Sequence, residues 1–129
     1  MTRKGQLTRE RILDKATEAV HLRGFGATSV NDLVRATGVN RGSLYFHFPG
    51  KDDLGLAVLE RTRERFLQFV REGLSGRTPG QRLDNFLKIA LAANTSRGFV
   101  GGCLWGNTAL EMSDTEGRER YVETVREVF

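Results

Sequence analysis

The feature that most constrains this chain is a short punctuated stretch in its first half. ATGVNRGSLYFHFPGK, residues 36–51, sets a Gly-Val-Asn turn between two short apolar-patterned segments and closes on a proline. Before the turn, Ser29 is placed to cap a helix. Asp32, three residues on, completes a capping-box-like pair, and Leu33 and Val34 supply its inward face. Gly38 ends that helix and Asn40 caps the next, which spans about seven residues before Pro49 forbids continuation. An earlier segment from Thr8, read as the N-cap, to Arg23 repeats Ile12, Leu13, Ala16, Ala19 and Val20 at helical spacing. Gly24 follows where a C-terminal glycine belongs. Two short helices across a tight turn, braced by a third, form a helix-turn-helix.

The rest of the chain also reads as helix, with two prolines in all and no run alternating at period two. A long helix from Lys51 to Leu74 carries Leu54, Val58, Phe66, Phe69 and Val70 and spans about 36 Å, enough to join two modules. After SGRTPGQ, Thr78 caps, Pro79 takes the first helical position and Gln81 closes a capping box. The fifth helix has the stripe Leu83, Phe86, Leu87, Ala90 and Leu91. CLWGNTALEM is a compact sixth helix. The last carries Tyr121, Val122, Val125, Val128 and Phe129, ending mid-stripe. The expected fold is therefore all-α, with a helix-turn-helix domain over residues 1–50 and a helical regulatory domain over 51–129.

Charge sharpens this division. Residues 1–51 hold nine Lys/Arg against four Asp/Glu, whereas residues 52–129 hold eleven against twelve. A basic module beside a near-neutral one points to a polyanion partner for the first, although a solvated basic face reads the same way in isolation. No apolar run approaches the roughly 18 residues of a membrane span, and MTRKGQLTRER lacks a hydrophobic signal segment. The expectation is a cytoplasmic protein without membrane association. One cysteine, Cys103, permits no internal disulfide, and no Cys/His cluster suggests a structural metal or other cofactor.

In a helix-turn-helix, the second helix presents its N-terminal residues to base edges in the major groove. Leu44, Phe46 and Phe48 then read as core, packed against Leu33 and Val34. Arg41 has the paired donors that suit guanine, Ser43 reaches phosphate or base, and Tyr45 adds a hydroxyl with reach. Gly42 removes a side chain where backbone must approach the groove, and His47 falls on the same side. Lys51, with the first N–H groups of the long helix, suits phosphate. Singly, Arg41, His47 and Lys51 also read as idle surface groups. Together, on a basic module at this spacing, they favour DNA.

TSVNDLVRATGVNRGSLYFHFPGKDDL resembles the N-terminal domain of the TetR family of bacterial transcriptional repressors, over residues 8–55, about a third of the chain. That resemblance places Thr28 and Ser29 near phosphate. It makes Asn31, Arg41, Gly42, Ser43 and Tyr45 base-reading candidates, with His47 and Lys51 holding the DNA backbone. Two departures stand out: Gly50 where many relatives have serine, and Phe46 where tyrosine is frequent. The resemblance further implies a homodimer on a near-palindromic double-stranded DNA operator, and a small-molecule effector that moves the long fourth helix. Chains of this family run well past 129 residues, so the regulatory domain is expected to be partial, a truncated product.

GGCLWGNTALEMSD resembles one branch of the family. Phe86, Phe99, Cys103, Trp105 and Met112 are candidates to line an effector cavity, although aromatics at helical spacing also read as plain core. Cys103 opens a helix, where N–H groups favour a thiolate and hence electrophile or oxidant sensing. The competing reading is a small buried hydrophobe. Enzymatic readings find no support: His21 and His47 lie far apart, Cys103 has no evident base, and Asp52–Asp53 reads as a charged first helical turn. The alternative to a repressor is an all-helical interaction protein whose helix-turn-helix is scaffold without specific DNA binding.

Overall fold

The computed structural model describes residues 1–98, 100–112 and 119–127. Among these residues every regular element is a helix: α1 Arg3–Arg23, α2 Val30–Thr37, α3 Arg41–His47, α4 Lys51–Gly73, α5 Pro79–Ser96, α6 Leu104–Met112 and α7 Glu119–Arg126. None of the described helices is long and apolar enough to cross a membrane.

The cap chemistry set most of these boundaries. Ser29 Oγ accepts from Asp32 N at 3.0 Å while Asp32 Oδ2 accepts from Ser29 N at 2.9 Å, the reciprocal box expected for α2. Gly38 then takes φ +68°, a left-handed conformation that costs a residue with a Cβ about 1–2 kcal/mol. Asn40 Oδ1 accepts from Ser43 N at 2.7 Å to start α3. Thr78 and Gln81 cap α5 reciprocally, with Pro79 in the first turn.

The start of α1 differs from expectation. Thr2, not Thr8, is the N-cap, accepting from Gly5 N at 3.1 Å, and Thr8 donates its hydroxyl to Lys4 O inside the helix. Of the intervening residues, Arg3, Lys4, Gln6 and Leu7 are good helix formers, and the helix runs through Gly5 to the first capping residue.

The chain divides into two compact units, Met1–Glu60 with Gly101–Phe129, and Arg61–Val100. This differs from the expected boundary after residue 50, because α6 and α7 pack with the helix-turn-helix. The core of the first unit joins Ile12, Leu13 and Ala16 of α1, Leu33 of α2, Leu44 of α3 and Val58 of α4 to Leu104, Trp105, Met112, Tyr121 and Val125. Burying each large apolar side chain stabilises by roughly 1.5–3 kcal/mol.

The second unit holds the end of α4 and α5. Phe86 meets Phe69 at 5.9 Å between ring centroids and lies over Gly73. No residue of α5 is buried, and Leu83, Leu87 and Leu91 of the expected inward stripe are exposed. Two helices form one contact layer, which leaves their outer faces uncovered.

Candidate nucleic-acid interface

The interface candidate is built on α2, the turn and α3. Leu44, 3% exposed, anchors α3 inward, and the cap residue Phe48 is buried beside it. That orientation leaves Arg41, Gly42, Tyr45 and Phe46 on the outer face, one helical turn apart in pairs. Ser43 and His47 are half-buried along its edge. Asn31, on the exposed side of α2, accepts a hydrogen bond at Oδ1 from the Arg41 guanidinium. Two expected base readers thus lie within hydrogen-bonding reach of each other.

Three expectations change. Phe46 is not core: it is 78% exposed, because a seven-residue helix buries one stripe and Leu44 and Phe48 occupy it. Its ring stands edge-on to His47, with centroids 5.1 Å apart at 84°. Thr28 is fully buried, its hydroxyl donating to Gly24 O at 2.7 Å and its N–H to Phe25 O at 3.2 Å. It braces the α1–α2 turn and presents nothing to phosphate. Lys51 lays its ammonium over the Phe25 ring, 4.6 Å from the centroid, so its cation starts from a packed position. His47 keeps its buried Nδ1 without a hydrogen-bond partner among the described residues.

Electrostatics are most defined at the start of α2. The Ser29 backbone N–H, then the Ser29 hydroxyl and the Arg35 side chain, lower the Asp32 carboxyl from 3.8 to about 2. Arg35 reaches Asp32 Oδ1 at 2.7 Å, and Arg23 lies 3.7 Å from the same oxygen. Asp32 therefore stays ionised on a basic face and holds two guanidinium groups at the start of the helix.

The effector candidates do not form one group within either unit. Cys103, Trp105 and Met112 belong to the first unit and Phe86 to the second, while Phe99 lies outside the described residues, as do Val128 and Phe129 of the last stripe. Trp105 and Met112 are core residues, and the Trp105 indole N–H is buried without a hydrogen-bond partner among the described residues. Cys103 is exposed and not a buried hydrophobe. It lies just before α6, its carbonyl accepting from Asn107 N at 2.9 Å. Two positive-φ glycines, Gly101 and Gly102, precede it.

Sequence reasoning missed the residues that tie α6 and α7 to the helix-turn-helix. The Glu111 carboxylate accepts from Phe25 N at 2.9 Å and from Gly26 N, both in the α1–α2 turn. His21 Nε2–H donates to Gly102 O at 2.7 Å. Tyr121 donates its hydroxyl toward Asp52 O and Oδ1, each at 3.1 Å, and its ring meets Phe25 at 5.1 Å. The available signal was the acidic end of TALEM and the lone tyrosine of the last helix. Neither has a spacing that names its partner.

Known proteins share this arrangement. Residues 12–58, from α1 through the start of α4, match the family described as bacterial regulatory proteins, tetR family. The HTH-type transcriptional regulator LmrA of Bacillus subtilis is 34% identical over 83 residues, covering 63% of this chain and 44% of that protein. The HTH-type transcriptional repressor ComR of Escherichia coli is 32% identical over 111 residues, covering 84% and 53%. A solved TetR transcriptional regulator from Chloroflexus aurantiacus superposes with a TM-score of 0.83 at 34% identity, covering 98% of this chain and 64% of that one. The chain spans about half the length of the curated relatives it matches. With the turn, the caps and the outward face of α3 all falling inside the matched segment, residues 12–58 are the helix-turn-helix module of the tetR family of bacterial regulatory proteins.

Proposed function

We propose that this chain carries the operator-reading module, with part of the regulatory domain, of a ligand-responsive repressor that binds near-palindromic DNA as a dimer. The observation that carries the reading is the outer face of α3. Arg41, Gly42 and Tyr45 point away from the core, beside Asn31 and the capped start of α2, on the basic part of the chain. Related proteins are named as transcriptional regulators and repressors, which supports the same reading. Arg41 and Asn31 read base edges, Ser29, Ser43 and Tyr45 bond phosphate or base, and His47 and Lys51 hold the backbone. Two copies set their α3 helices about 34–36 Å apart, or a multiple, to enter successive major grooves.

Control runs through α4. A small effector in the regulatory domain shifts the equilibrium only if it favours one arrangement of the modules over the other. A rigid helix transmits that shift provided its first turn stays docked, and the Tyr121–Asp52 hydrogen bonds support such docking.

The test is operator selection from a random duplex library, then affinity against salt. Arg41→Ala is expected to cost roughly 1–3 kcal/mol and relax preference at one position per half-site. Lys51→Ala should weaken every sequence alike and flatten the salt slope by about one unit. Equal affinity for selected and random duplexes at physiological salt removes the repressor reading and leaves a helical interaction protein.

A further inference from the structure

Gly42 and Phe46 lie four residues apart on α3 and so share one outward strip, beside the Arg41–Tyr45 strip. Each is hard to explain from inside the protein. A Cβ built on Gly42 meets only Asn40 Oδ1, at 3.5 Å, an ordinary contact. Its backbone is regular helix, where alanine is favoured over glycine. Neither crowding nor backbone conformation therefore asks for glycine here.

Phe46 presents the opposite puzzle, a ring 78% exposed although hydrophobic, held edge-on by His47. Lacking a hydroxyl, it can bond neither phosphate nor a base edge. Among the groups that base pairs present in the major groove, the thymine C5-methyl is the apolar one. An open backbone position beside an exposed phenyl forms a seat of that size and polarity.

We infer that Gly42 and Phe46 together read a thymine methyl group, with Gly42 leaving room for the base edge and Phe46 packing against the methyl. This rests on the DNA-binding reading above. It adds a specificity element that hydrogen-bond donors cannot supply, since thymine and uracil present identical donors and acceptors and differ only in the methyl.

The test uses the full chain and the operator it selects. Each thymine is replaced in turn by deoxyuridine, for the wild type and for Phe46→Ala. At one position per half-site the wild type should lose roughly fourfold in affinity, about the value of one buried methyl group. Phe46→Ala should bind the thymine and deoxyuridine duplexes equally at that position while keeping its sensitivity elsewhere. Gly42→Ala should fold at least as stably as the wild type and lose roughly tenfold in operator affinity.

If no deoxyuridine substitution affects the wild type, or if Phe46→Ala keeps the full penalty, the inference is overturned. It is overturned too if Gly42→Ala binds unchanged. If no sequence is selected at all, the DNA-binding reading fails first, and this inference falls with it.

Discussion

Two regions of the first unit use glycine for opposite reasons. On α3, a Cβ at Gly42 would make only an ordinary contact, 3.5 Å from Asn40 Oδ1. At the α1–α2 turn and on α4, the glycines are filled from within. A Cβ on Gly26 would sit 2.7 Å from Glu111 Oε1, and one on Gly55 would overlap Phe25 Cε2 and the Tyr121 hydroxyl. The crowded glycines lie where α6 and α7 grip the helix-turn-helix, and the open one lies on the face the grip leaves outward. A small residue crowded by its own chain reports an internal joint, whereas at Gly42 nothing in the chain requires one. The distinction is testable by one substitution at each type of site.

The largest effect is expected at Gly55. Replacing it with alanine forces Phe25 or Tyr121 to move inside a packed joint; overpacking of this kind costs roughly 1–3 kcal/mol, occasionally more, of which alanine's helix preference returns at most about 1. Denaturant unfolding of Gly55→Ala should show that loss. Removing the hydroxyl in Tyr121→Phe takes away one of the two clashing groups, so the alanine should cost less in that background. Equal cost in both backgrounds would mean that the joint is looser than its distances imply.

A smaller effect is expected from Glu111→Ala. Its carboxylate satisfies two backbone N–H groups of the α1–α2 turn, one partly buried and one exposed. Water can replace it at the exposed group, so the loss should be roughly 1–2 kcal/mol, at the lower end for hydrogen bonds to a charge. The sharper readout is local. Amide exchange should accelerate at Phe25 and Gly26 while the α3 amides keep their protection. Loss of protection along α3 as well would join the two regions into one cooperative unit and blunt the contrast between them.

The caps and apolar periods made much of this fold legible. Ser29 with Asp32, Asn40, and Thr78 with Gln81 start helices where sequence placed them, because a cap is a local contract between residues three apart. Thr8 misled for the same reason: a competent cap is passed over when another lies upstream and the helix continues between them. At the interface candidate, Arg41, Gly42 and Tyr45 fell outward as helical phase required. Phe46 did not fall inward, since hydrophobicity alone cannot say that a short helix has exhausted its buried stripe. The Glu111, His21 and Tyr121 contacts span 69 to 86 residues along the chain, and nothing in residue spacing encodes such long-range pairing.

The smallest effect lies at Asp32, where the gripped turn hands over to the open face. Its carboxyl is lowered from 3.8 to about 2, by the Ser29 N–H first and then by the Ser29 hydroxyl and Arg35. In the unfolded chain it binds its proton more readily than in the folded one. The cap's contribution is therefore complete above about pH 4 and is lost as pH falls through about 2. Between these limits the start of α2 should fray before the core responds, visible as faster exchange at the Asp32 amide, which donates to Ser29 Oγ. Ser29→Ala removes the hydroxyl that accepts from the Asp32 N–H at 3.0 Å and donates to Asp32 Oδ2 at 2.8 Å. It should cost about 1 kcal/mol at neutral pH and move the Asp32 titration upward toward 3.8. The Ser29 backbone N–H survives in that variant, so the titration should move only part of the way. A carboxyl-resonance titration of Asp32 in the two proteins decides the matter. An unchanged midpoint would show that Arg35 and the backbone hold the charge without the hydroxyl, and that the cap stabilises α2 solely through the Asp32 N–H.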